Sequence, residues 1–212
     1  MTSTICKVLN SVLALVFSLL LLPAQATTLL SLPIDEVAAR AELIFEGEVL
    51  AHDARRDPLS GQIYTSVSFS VQDIIKGAYA VAVLVLRFSG GCVGNERLEI
   101  PGLTLPVVGE TGIYFIESVS QTMINPLLGW SQGHYLISEQ AGQRLIQTNS
   151  GQAILEVQAA TAVPATIRRP QRLIEGGSDA ADGIVTGETA QSLGQPMTAE
   201  QFKSRIRSQL SP

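Results

Sequence analysis

The sequence is short of the residues from which most active sites are built. Its 212 residues include two histidines, two cysteines and one tryptophan. A metal centre needs several His, Cys, Asp or Glu ligands close together. No pair among His52, Cys92 and His134 has the i, i+2 or i, i+4 spacing of a ligand motif. No loop has the dense Asp/Asn pattern of a calcium site. No metal ion and no cofactor is therefore expected. Basic residues are also scarce: 14 Lys and Arg stand against 19 Asp and Glu, a formal net charge of −5. That balance argues against nucleic-acid binding, which needs a basic face, and against docking on anionic lipid. The chain has no Asn-x-Ser/Thr sequon, which favours a bacterial source.

Long apolar runs are absent except at the start. Lys7 precedes the run Val8 to Leu22, and Pro23 and Ala24-Gln25-Ala26 follow it. A basic n-region, an apolar stretch and small residues at the cleavage positions form the pattern of a secretory signal. The apolar run is about 15 residues, short of the roughly 20 that span a bilayer. Residues 1–26 are expected to be removed, with no membrane span left afterwards. Cys6 leaves with that segment, so the mature chain keeps Cys92 alone and forms no internal disulfide. Cys92 reads as a small buried residue or a free thiol. The expected compartment is the periplasm or the cell exterior.

What remains is patterned for strands. Ser31 to Ala41 starts a short helix, with Pro33 in its first turn and Asp35 and Glu36 near its positive end. Leu32, Val37 and Ala41 form its candidate buried stripe. Leu43 to Leu50 reads as a strand with a bulge or bend at Gly47. His52 to Gln62 reads as a hairpin loop. Ile63 to Val71 alternates apolar and polar residues without interruption, which is a strand with one buried face. Ile74 to Gly77 reads as a turn. Ala80 to Phe88 is apolar on both faces and reads as a central strand. Gly90 to Gly94 is a glycine-rich loop. Short strands follow at Arg97–Ile100, Gly112–Ile116 and His134–Ile137, and a last hairpin pairs 144–148 with 152–157.

From Gln158 to Pro196 apolar periodicity vanishes, and the segment reads as a flexible linker. A closing helix is then well signalled. Thr198 caps it, Gln201 completes a capping box, and Met197 staples onto Phe202. Phe202, Ile206 and Leu210 lie along one side, and Lys203, Arg205 and Arg207 fall mostly off it. The expected organisation is a signal over 1–26, a β-domain over 27–157, a linker over 158–196 and an amphipathic helix over 197–212. The expected fold is mainly β (α+β), a small antiparallel barrel or sandwich, OB-like, with a helix at each end.

Several motifs invite chemistry. Gly129-Trp-Ser131-Gln-Gly133 spells the serine-hydrolase elbow. That elbow needs a strand before it, a helix after it, and an acid and a histidine further along. Here a strand follows, and no histidine lies beyond His134. Gly90 to Gly94 lacks the Lys-Ser/Thr ending of a phosphate loop. Glu46 and Glu48 share a strand face, which evokes a glycosidase acid pair, but charges on a solvated strand face are far more common. Trp130, Tyr135 and Tyr64 suggest an aromatic ligand platform or, the commoner role for such side chains, core or rim packing. The candidate binding residues are Trp130, Gln132, His134 and Tyr135.

The run Ala41 to Val49, Tyr64-Thr65 and Ile74-Ile-Lys-Gly77 resembles a family of exported bacterial proteins of unknown function. Gly90-Gly91, Ile100-Pro-Gly102, Val108-Gly-Glu110, Gly129-Trp130 and Gln132-Gly133 continue that resemblance. The same order is similar to netrin-like and metalloproteinase-inhibitor domains, which implies an OB-type barrel. Those inhibitors insert an amino-terminal cysteine into a protease, and the mature end here would be Thr27-Thr28. The expectation is an exported, non-catalytic binding or protein-interaction module, with an exported protein as its candidate partner. The alternatives are a small hydrolase using Ser131 and a regulator of an exported protease.

Overall fold

The computed structural model describes residues 29–158, 173–174, 180–187 and 194–210. The expected signal lies outside the described residues. The fold is mainly β, with one helix before the strands and one at the end of the chain. Among the described residues, no helix is long and apolar enough to cross a membrane.

Strand β1 (Leu29–Leu30) pairs with β11 (Leu173–Ile174). Helix α1 (Ile34–Arg40) follows and buries Ile34, Val37 and Ala38. Two long strands come next, β2 (Leu43–Arg56) and β3 (Ile63–Lys76). They exceed the sequence expectation at both ends of their hairpin. Residues 52–56 pair with 63–67, leaving only a tight turn between them. The polar residues read as loop are instead the wet face of a twisted ribbon. The register of β2 against β3 shifts at three places, one of them between Glu46 and Gly47. Such bulges bend a strand. A Cβ at Gly47 would lie 2.6 Å from the Ser70 carbonyl oxygen and 2.8 Å from the Phe45 ring, so only glycine fits.

The remaining elements are β4 (Val83–Ser89), the small hairpin β5 (Gly91–Val93) and β6 (Glu96–Leu98), and β7 (Thr111–Ile116). After them come a 3-10 turn (Trp130–Gly133), β8 (His134–Gln140), β9 (Gln143–Thr148), β10 (Ala153–Val157), β12 (Ile184–Gly187) and helix α2 (Ala199–Leu210). Eight strands form one antiparallel sheet in the order β12-β10-β9-β8-β7-β2-β3-β4. The segment expected to be a linker thus contains an edge strand, β12, paired with β10. Ala180 and Ala181 just before it are buried. Ile184-Val185-Thr186 is too short a run to show a period, yet its backbone adds the edge strand. Residues 159–172, 175–179 and 188–193 of that segment lie outside the described residues.

Two cores lie on opposite faces of the sheet. One packs α1 and α2 against Ile44, Ile113, Phe115, Tyr135, Ile146 and Ile154. The other gathers Phe45, Phe69, Tyr114, Leu84, Leu86 and Phe88 within the curl of β2, β3, β4 and β7. The aromatic rings of Phe45, Phe69 and Tyr114 meet at 4.8 to 5.5 Å between centroids. Such contacts add to plain area burial.

One strand sits where the sequence did not place it. β4 is not central: it is the end strand of the sheet, and its Val83 and Val85 face solvent at 42% and 55% exposure. Cys92 is an exposed free thiol on β5.

Candidate functional site

The residues singled out from the sequence divide between the two faces of the sheet. Gly129 and Trp130 both take left-handed backbone angles at the head of the 3-10 turn. That conformation is uncommon for a bulky residue. Trp130 remains half-buried. Gln132 is buried, and its Oε1 accepts the Leu32 amide at 2.7 Å. It fastens the approach to α1 to the sheet. Tyr135 is buried in the helix-covered core, its ring 5.1 Å from that of Phe202. Its hydroxyl accepts the Ala181 amide at 3.4 Å. The four candidates therefore do not converge on one open site, because successive strand residues point to opposite faces.

His134 points to the second core. Its ring stacks on Tyr114 at 5.1 Å, and its Nε2 lies 2.7 Å from Glu110 Oε1. The Tyr114 hydroxyl donates to the same oxygen at 3.0 Å. Burial raises the Glu110 carboxyl, but the hydrogen bond and charge of His134 outweigh it and hold Glu110 below its ordinary value. Burial, then the Glu110 charge, pushes the Tyr114 phenol up. The group ties the loop ahead of β7 to β7 and β8. His52 supports the same loop, its Nε2 2.7 Å from the Pro106 carbonyl oxygen. Among the described residues, no hydrogen bond joins His134 to a serine, threonine or cysteine. Ser131 sits inside a four-residue 3-10 turn that runs straight into β8. The strand–turn–helix frame of a nucleophile elbow is not there.

Among the described residues, no group of three or more His, Cys, Asp or Glu side chains is placed to hold a metal ion. A depression of about 210 Å³ lies at the root of α2, lined by Leu155, Pro196, Met197, Gln201 and Arg205. It is smaller than the roughly 300–1,000 Å³ of pockets that enclose a small ligand.

Glu46 was read as a solvated charge and is 3% exposed. Lys203, expected off the buried side of α2, is equally buried. Lys203 Nζ lies 2.7 Å from Glu46, 2.7 Å from Glu200 and 3.0 Å from Asp73. Arg144 reaches Glu46 at 2.5 Å, and Arg207 reaches Asp73 at 2.9 Å. Burial lowers the Lys203 ammonium, but the hydrogen bonds it donates to Glu200, Glu46 and Asp73 outweigh that and raise it. The main chain adds to this clamp. Met197 donates to Ile154 and accepts from Ile146, so the chain entering α2 is wedged between β9 and β10. The capping box forms as expected, with Thr198 and Gln201 exchanging hydrogen bonds. This cluster docks a helix onto the sheet.

The open surface lies at the other end of the same face. Beyond the helices, β3 presents Tyr64, Ser66, Ser68 and Ser70, paired across to Ser89, Arg87, Val85 and Val83 of β4. Arg87 lies over the Tyr64 ring, 3.6 Å from its centroid, and reaches Asp57 at 2.8 Å. Asp57 in turn accepts the Leu59 and Ser60 amides at 3.0 and 2.9 Å. Those bonds from Ser60, Arg87 and Leu59 hold the Asp57 carboxyl well below the usual carboxylate range. The result is a fixed turn whose apex, Leu59, is 96% exposed. Sequence reading missed Val83, Val85, Arg87 and Leu59 as a group. Two signals were present: Arg87 interrupts an apolar run, and Leu59 is an aliphatic residue within a Pro-Gly turn.

Comparison of the chain with protein-family models, with curated proteins and with solved structures yields no match.

Proposed function

We propose that the chain is an exported, non-catalytic protein-interaction module whose contact surface is the open face of β3 and β4. One observation carries this reading. β4 ends the sheet with Val83 and Val85 exposed, it has no proline and no register shift against β3, and its one charge, Arg87, is drawn onto Tyr64 and Asp57. Natural edge strands are usually protected by one of those devices. Contiguous exposed apolar surface of this kind marks interaction sites. Arg87 over Tyr64 follows Val85 along the strand, with the fixed Leu59 turn at the far end of the same ribbon, and aromatic, Arg and aliphatic anchors on rigid supports are the usual energetic centres of interfaces. The occupant that fits is a segment of another exported protein.

The test is site-specific photocrosslinking in the source cell. A photoreactive residue is placed at Val83, at Leu59 and, as a control, at exposed Glu139. A defined protein adduct from positions 83 and 59, absent from 139, is the expected result. Equal labelling at all three positions, or none at 83, overturns the reading.

A further inference from the structure

We infer that β4 accepts a short extended segment of a partner protein as an added antiparallel or parallel strand, bonded through the main chain of Val85 and Arg87. This rests on the surface reading above and names the chemistry of the partner. In a strand, main-chain groups alternate between the two sides. Gly90 donates to Ile63 and Ala82 accepts from Val71, so the even-numbered residues bond β3. The odd-numbered residues face outward. At one end the Tyr79 hydroxyl donates to the Val83 carbonyl oxygen. At the other end the Ser89 amide donates to the Ile124 carbonyl oxygen. Between these stops, no hydrogen bond among the described residues reaches the outward N–H and C=O of Val85 and Arg87.

The stops set the size of the occupant. Val83 to Arg87 is five residues, a window about 16 Å long at the usual rise per residue. Pairing two such windows between copies of this chain would bury far less than the roughly 800 Å² per partner of a stable dimer. The window suits a short extended segment, bound by main-chain hydrogen bonds with side chains choosing its sequence. Val83 and Val85 ask for apolar or β-branched residues beside them. Arg87 is already engaged by Asp57 and sets no demand for an acid.

Cys92 makes the test direct, because it is an exposed free thiol three residues beyond β4. The probe is a hexapeptide of alternating threonine and valine, joined by a Gly-Ser linker to a cysteine. It is attached to Cys92 of the protein by thiol–disulfide exchange from an activated disulfide, which releases the activating thiol. A control probe carries N-methyl groups on the amides of one edge and a second control those of the other edge. Amide hydrogen exchange is read at each residue of β4. The expected result is slowing at Val85 and Arg87 by roughly tenfold or more, as an effective concentration near millimolar allows. One of the N-methyl controls must abolish it. No slowing with the unmodified probe, or equal slowing with all three, overturns strand addition.

Val85→Pro supplies the second variant. A proline is tolerated on an edge where its N–H faces outward, so Leu84, Leu86 and Phe88 stay protected and report an intact sheet. The tethered probe must then fail to slow Arg87, and persistence of that slowing overturns the proposal. A wild-type dimer in sedimentation that Val85→Pro dissociates would overturn it in favour of a second copy. The two readings fail separately. A crosslink at Val83 that survives Val85→Pro leaves the surface reading intact and removes strand addition, whereas no crosslink at Val83 in the wild type removes the surface itself.

Discussion

One face of the sheet is treated in opposite ways at its two ends. Over β7 to β10 it is covered by α1 and α2, with Phe202 and Ile206 fully buried and Lys203 locked among three carboxylates. Over β3 and β4 neither helix reaches it, and it carries half-buried serines and exposed valines. The lesson is that covering a sheet is a local decision. Where a helix sits, buried charge and apolar area are both satisfied within the chain. Where none sits, Val83 and Val85 stay in contact with solvent.

Breaking the covered end should have the largest effect. Phe202→Ala removes a fully buried ring from between Tyr135 and α1, and a loss of about 3–5 kcal/mol is expected by denaturant unfolding. Lys203→Ala leaves Glu46 buried beside only Arg144, and breaking such a pair costs about 3–5 kcal/mol. Lys203→Met combined with Glu46→Gln should recover much of that loss, because the uncompensated charge is gone. A double variant as unstable as Lys203→Ala would show that the clamp itself stabilises the fold.

Removing the cap is milder. Thr198→Ala is expected to cost about 1 kcal/mol and to raise amide exchange in the first turn of α2.

Acid sharpens the comparison without a mutation. Burial raises the Asp73 carboxyl, but Lys203 and Arg207 outweigh it and hold it low in the fold. Glu110 is likewise held low. Groups with depressed folded values contribute stability above their unfolded values, and lose it as pH falls through the folded ones. Their ordinary values are 3.8 and 4.5, so the loss begins near pH 4.5 and continues below pH 3.8. Lys203 is raised, so its contribution is complete below its ordinary 10.5 and is lost only at still higher pH, as the folded value is passed. A flat stability plateau is expected between about pH 5 and 10 from these groups. On lowering the pH to 3, amide exchange should rise first in α2, and a rise that starts at β4 would contradict the assignment of Asp73 to the clamp.

The smallest effect is expected at the bare end. Val83→Thr with Val85→Thr should change stability by no more than about 0.5 kcal/mol, since both side chains are exposed and threonine keeps their β-branched shape. A loss above 2 kcal/mol would mean that this face packs against part of the chain itself.

Much of the fold was legible in the sequence because period and punctuation are local properties. The alternation from Ile63 to Val71, the hairpin turning at Gly151, the bulge at Gly47 and the Thr198–Gln201 capping box all follow from neighbours in the chain. The candidate site was barely legible. Trp130, Gln132, His134 and Tyr135 were grouped by proximity in sequence, but a strand sends neighbours to opposite faces. Ala80 to Phe88 reads as central in the sequence because apolar residues on both faces ordinarily mean burial on both.

The sequence by itself determined the strand-rich class, the two terminal helices and the scarcity of catalytic and metal-binding residues. Tertiary structure decided which strand ends the sheet, which charges are buried and which apolar residues stay wet. Those outcomes depend on what lies across the sheet. Glu46 is buried because α2 brings Lys203 to it, and Val85 is exposed while Leu84 and Leu86 on the same strand are buried, because neither helix extends over that face of β4.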